Sequence, residues 1–150
     1  MNDYTKEITE VYDKTWALVK IIFGSRLIKP KLIFNNRLYR TVGLASKDGK
    51  KYEIQIIGKA TKSSKLKMLI IDSVISHEIA HSVAFQLYND FTHGVNWQNI
   101  DKVLGGNGVE YQLFTTKELK SINKDIKKQG FKRGITLDKS YSLYHKKFTY

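Results

Sequence analysis

The stretch ISHEIAHSVAFQLYNDFTHGVNW, residues 75–97, holds His77, Glu78, His81 and His93, three of the chain's four histidines and a glutamate, in and just beyond an apolar run. Such side chains are costly to bury without partners, so their grouping points to a chemistry. His77, Glu78 and His81 form H-E-x-x-H. On a helix, positions i and i+4 lie on one side, so both imidazoles can hold the same ion. Borderline-soft imidazole suits zinc, and a catalytic zinc takes three protein ligands while keeping a fourth position for water. Glu78, beside His77, emerges at the edge of that face, where it can reach the water without ligating the metal. The chemistry expected is hydrolysis: the metal acidifies the water towards a pKa of roughly 7, and Glu78 accepts the proton as the oxygen attacks a carbonyl.

A third ligand is required, and His93 is the natural candidate. It follows the helix after enough chain to turn back, and Gly94 beside it eases a tight backbone path. Asp90 competes for the role, but it falls near the helix end, where it has no obvious route back beneath the two histidines. A bare H-E-x-x-H recurs by chance in many helices. Here chance would have to supply two satisfied core histidines and a buried glutamate in one turn, and then a third histidine in a Gly-Trp context.

These residues must be positioned by a scaffold. From Thr5 to about Phe23, Ile8, Val11, Tyr12, Trp16, Val19, Ile22 and Phe23 recur at three- and four-residue steps, the stripe of an amphipathic helix. After Pro30, KLIFNNRLYRTVGLA is β-branched and alternating, SKDGK supplies a turn, and KYEIQII alternates again, which predicts a small antiparallel hairpin or meander. GKATKSSK reads as a polar connecting loop. LKMLIIDSVISHEIAHSVAFQLYND keeps helical periodicity and is the longest helix expected. NWQNIDKVLGG is a second helical stretch closed by Gly105 and Gly106. TKELKSINKDIKKQG predicts an exposed helix, with a tyrosine-rich segment after it. Helices and a small sheet in separate blocks give an α+β class, and residues 1–150 are expected to form one domain with a basic C-terminal segment at 117–150.

Composition narrows the function. With no cysteine, thiolate zinc ribbons, iron–sulfur clusters, disulfides and cysteine nucleophiles are excluded, so any metal is held by His, Asp or Glu. No secretory signal is evident and no run approaches transmembrane length, so a cytoplasmic protein without a membrane partner is expected. The formal net charge of +12 is uneven. Residues 20–67 sum to about +11 and 117–150 to about +7, whereas 1–15 carry about −2 and 68–116 about −4. A polyanion such as nucleic acid is thereby expected beside the site rather than in it, although lysine is also an ordinary surface residue.

The segments IDSVISHEIAHSV and HGVNWQNIDKVLGG, with NNRLYRTVGLAS and YEIQI upstream, resemble the SprT-like (Spartan-like) zinc metallopeptidases over roughly residues 30–114. The resemblance implies a zincin-like metallopeptidase core binding one zinc ion through His77, His81 and His93, with Glu78 as catalytic base. It implies a protein or peptide substrate, and proteolysis of proteins bound or crosslinked to DNA. Many members carry a cysteine zinc ribbon after the core; this chain has a basic, aromatic tail instead. Phe131, Tyr141, Tyr144 and Phe148 in that tail are available to stack on unpaired bases.

Other residues attract plainer readings. Trp97 is expected to pack behind the third ligand, His145 to be exposed or packed in the tail, and Asp72 to face solvent. The KSSKLK and KKQGFKR clusters read as solvated surface. The same site residues also fit a basic nucleic-acid-binding module with a structural zinc, or a peptidase with no nucleic-acid role.

Overall fold

The computed structural model describes residues 3–109 and 116–136. Helix α1 (Thr5–Phe23) presents Ile8, Tyr12, Trp16 and Val19 to the core at the spacing the sequence predicts. The buried Tyr12 hydroxyl donates to the Pro30 carbonyl, tying α1 to the start of the sheet.

The sheet has three strands, β1 (Lys31–Asn35), β2 (Gly43–Asp48) and β3 (Lys51–Ile57), in the order β1-β3-β2. It is mixed, which corrects the antiparallel expectation: β2 and β3 form an antiparallel hairpin, but β1 runs parallel to β3. Alternation reports which side chains share a face, and it carries no information about the direction of the neighbouring strand. Residues 36–42 carry the chain past β3, so β2 becomes an edge strand and β3 fills the centre. Gly49, at φ 60°, opens the two-residue turn between Asp48 and Lys51.

GKATKSSK is more than a loop. Gly58–Thr61 forms a 3-10 turn with Gly58, Lys59 and Ala60 buried, and the Ser63 hydroxyl caps α2 (Ser64–Leu69) by accepting from the Leu66 amide. Lys59 donates to the carbonyls of Asn36 and Leu38, pinning the crossing segment. Burial, aided by the charge of Arg133, holds its pKa below the ordinary lysine value.

The long helix expected here is continuous from Ser64 to Tyr88, but it is not uniform: Ile70–Val74 is a π-helical turn between α2 and α3 (Ile75–Tyr88). It reaches the length and mean hydropathy of a membrane span, contrary to the sequence reading, yet 67% of its apolar window is buried inside the protein. Asn89, in the left-handed conformation at φ 53°, ends it. Helix α4 (Val95–Val103) packs on α3, and α5 (Thr116–Lys128) sets Ile122 and Ile126 into the core while its lysines stay outside. Residues 137–150, including His145, Tyr141, Tyr144 and Phe148, lie outside the described residues. Asp72 is exposed, as expected.

Replacing Tyr12 with Phe should leave the buried Pro30 carbonyl without its donor and cost about 1–2 kcal/mol. The check is urea unfolding of the two proteins, with an unchanged m-value expected because the same surface is exposed.

Candidate metal centre

Helix α3 is buried over every residue from Ile75 to Ala84, a degree of enclosure that places His77 and Glu78 inside the protein with the apolar side chains. The π turn just upstream widens the helix by one residue and rotates the turns after it, so Val74, Ile75 and Ile79 still meet the core while His77 and His81 share another face. His93 arrives from the loop between α3 and α4. One ring nitrogen from each of the three histidines falls in a group no more than 4.8 Å across. The closest pairs are His81 Nε2 to His93 Nε2 at 3.0 Å and His93 Nε2 to His77 Nε2 at 3.3 Å. Two nitrogens bound to one tetrahedral zinc at its usual bond length stand roughly 3.3 Å apart. The three imidazoles therefore fit such an ion, and this set could hold one.

Asp90 is not in the cluster. Its carboxylate accepts from the Thr92 amide at 2.9 Å, the Thr92 hydroxyl at 2.7 Å and the Asn96 side chain at 3.2 Å. These bonds, the Thr92 amide foremost, hold its pKa below the ordinary aspartate value. Asp90 thus shapes the turn that delivers His93, and Gln98 fixes the far side of that turn by donating to the His93 carbonyl at 3.0 Å.

Trp97 packs behind all three rings rather than the third alone. It is fully buried, with ring centroids 4.7 Å from His77, 5.5 Å from His81 and 4.8 Å from His93. Its indole N–H donates to the His77 carbonyl at 3.1 Å, so one residue of α4 locks both the helix backbone and the ring orientations.

Glu78 is fully buried, with Oε2 3.9 Å from His77 Nε2. Gly43 makes room for it. A Cβ at that position would stand 2.9 Å from Glu78 Oε2 and 2.7 Å from Val74 Cγ1, so only glycine lets β2 lie this close to α3.

Asp101 escaped the sequence reading. It is 3% exposed and accepts from the Gly108 amide at 3.0 Å. A Cβ on Gly106 would come within 2.3 Å of either carboxylate oxygen, which explains the glycine there, whereas Gly105 before it is required by its φ of 101°. Burial pushes its pKa up, the Ser76 hydroxyl and the Gly108 amide oppose the shift, and the charge of Glu78 adds to it. The hint was a carboxylate four residues before a Gly-Gly pair, but nothing in the spacing turns that carboxylate inward.

Three converging imidazoles, a buried glutamate and a covering edge strand accord with the family to which the chain belongs, the SprT-like family, matched over residues 11–118. No curated protein and no solved structure matches it.

Asp90→Ala should weaken zinc binding by about ten- to a hundredfold without abolishing it, since the turn loosens while all three imidazoles remain. Competition with a zinc chelator measures this. In the metal-free protein the stability Asp90 contributes should be complete above about pH 4 and vanish as the pH falls further, because its folded-state pKa is the lower one. The two proteins' unfolding free energies should therefore converge in acid.

Proposed function

We propose that this protein is a zinc-dependent endopeptidase with a zincin-like core. The observation that carries the reading is the convergence of the His77, His81 and His93 ring nitrogens beside the buried Glu78 carboxylate, on a chain of the SprT-like family. A metal held by these three residues supplies positive charge that acidifies water and polarises a carbonyl. Glu78, one helix position from His77, takes the proton of the attacking water and returns it to the leaving amine. Trp97 keeps the imidazoles in one orientation, and the packed aromatic and aliphatic wall behind them excludes bulk water.

The substrate lies along β2. The Ile57 amide donates to the Val42 carbonyl at 3.0 Å, and alternation then turns the main-chain groups of Leu44 and Ser46 towards β3 as well. Those of Gly43, Ala45 and Lys47 face the edge that no other described strand pairs, where an extended peptide pairs as an added strand. Gly43 sits over Glu78, so the bond to be cut lies level with Gly43.

The protein substrates are associated with nucleic acid, a reading supported by the net charge of +12 and its concentration on both sides of the site. Helix α5 carries Lys120, Lys124, Lys127 and Lys128 on its exposed face.

Glu78→Gln should retain zinc and lose about a hundred- to ten-thousandfold in peptide hydrolysis, whereas Ala at His77, His81 or His93 should lose the metal. Metal analysis beside a peptidase assay separates these outcomes; near wild-type hydrolysis by Glu78→Gln, or full zinc in His93→Ala, would defeat the assignment.

Nucleic-acid binding should be weakly sequence-specific and steeply salt-dependent, with a log–log slope on the order of −4 to −5 for duplex if about five phosphates are neutralised. Removing the segment after Thr116 would also remove Ile122 and Ile126 from the core, so changing Lys120, Lys124, Lys127 and Lys128 to Gln is the cleaner test. Fluorescence anisotropy with short oligonucleotides should show a flatter slope for that variant with its zinc intact. Absence of binding at low salt would leave the peptidase without a nucleic-acid role.

A further inference from the structure

Helix α3 continues past the histidines on the same face. Phe85 follows His81 by four residues, so His77, His81 and Phe85 stand in one row. Phe91, on the loop that delivers His93, meets Phe85 with ring centroids 6.3 Å apart. Above them runs β2, with Gly43 over Glu78 at one end and Lys47 over Phe85 at the other. The Lys47 ammonium stands 4.8 Å from the centroid of Phe85 and 5.9 Å from that of Tyr52, its partner across the hairpin. Lysines on edge strands commonly extend into solvent and discourage aggregation. Lys47 instead is half-buried against two aromatic faces, and among the described residues no carboxylate forms an ion pair with it. A cation in partly desolvated surroundings gains more from an incoming anion than one fully in water.

We infer that Lys47, seated on Phe85, is a specificity determinant that selects an acidic side chain on the N-terminal side of the bond to be cut. The inference rests on the peptidase reading and on an antiparallel substrate strand. In that direction, residues opposite Lys47 precede those opposite Gly43. The two positions are four residues apart, roughly 13 Å along a strand, so the acidic residue falls at the fourth or fifth place before the cleaved bond. Its carboxylate meets the Lys47 ammonium, which the Phe85 ring holds in place.

Two measurements on the zinc-loaded, full-length protein test this. In the first, wild-type protein digests a mixed peptide library, and mass spectrometry reads the residues preceding each cut. Glu and Asp should exceed Lys at the fourth or fifth place by about tenfold, the equivalent of about 1.4 kcal/mol. Lys47→Arg should keep that preference, Lys47→Met should abolish it, and Lys47→Glu should invert it. In the second, anisotropy follows fluorescein-labelled Glu-rich, Gln-rich and Lys-rich peptides of equal length binding to the Glu78→Gln protein. The Glu-rich peptide should bind most tightly, with the order reversed when Lys47→Glu is added. Cleavage without any charge preference, or a preference that survives in a folded Lys47→Met protein, would overturn the inference and leave the peptidase reading intact. Failure of all three peptides to bind would overturn it too. Selective binding of the Glu-rich peptide through Lys47, with no cleavage by wild type, would instead sustain the acidic-side-chain site and defeat the peptidase reading.

Discussion

The structure depends on burying His77, Glu78 and His81 in the helix that also forms the hydrophobic core. Each of the three is no more than 1% exposed, in a run of ten buried residues. Polar groups at that depth are tolerated only where they have partners, and the partners come from elsewhere in the chain. His93 closes on the two helical imidazoles, Trp97 walls them in and binds the His77 carbonyl, and β2 covers Glu78. The fold can be described as the set of elements that satisfies this one helix. A metal held by the three imidazoles would turn a costly cluster into the strongest link between α3 and the loop before α4, because site formation and folding are then one equilibrium.

Close approach is the second constraint, and glycine carries it. At Gly43 a methyl group would strike Glu78 and Val74, and at Gly106 it would strike Asp101. Both positions use the missing side chain to bring backbone against a buried carboxylate. The consequence is rigidity on two sides of the H-E-x-x-H turn: the edge strand is fixed over Glu78, and the end of α4 is fixed over Asp101, near Ser76 and hence next to His77. Precise placement of reacting groups is worth several kcal/mol of barrier, so this stiffness suits the hydrolytic role proposed above.

Positive charge is arranged in the opposite manner, outward and around the rim. Among the described basic residues Lys59 is the exception: buried, donating to two carbonyls, with Phe131 5.6 Å from its ammonium and Arg133 close enough to disfavour its charge. Asn123 brackets Ile135 through both its amide and its carbonyl, and the Thr136 amide donates to the Tyr39 carbonyl, so the chain after α5 straps the segment that feeds β2. Sheet edge, crossing segment and the described residues after α5, up to Thr136, are therefore one mechanical unit.

What the sequence determined by itself was everything that depends on spacing along one element. The stripe of α1, the hairpin turn at Gly49, the helix bearing His77, Glu78 and His81, and the family resemblance all follow from periodicity or from a linear motif, and local geometry realises them directly. What only the tertiary structure decided was everything that depends on which elements meet. The parallel pairing of β1, the π turn at Ile70–Val74, the role of Asp90 as a brace, the inward turn of Asp101 and Lys59, and the seating of Lys47 on Phe85 fall in that group. A carboxylate or ammonium has the same identity whether it faces water or core. Its role is set by neighbours brought from distant parts of the chain, and their arrival is a property of packing that no local pattern encodes.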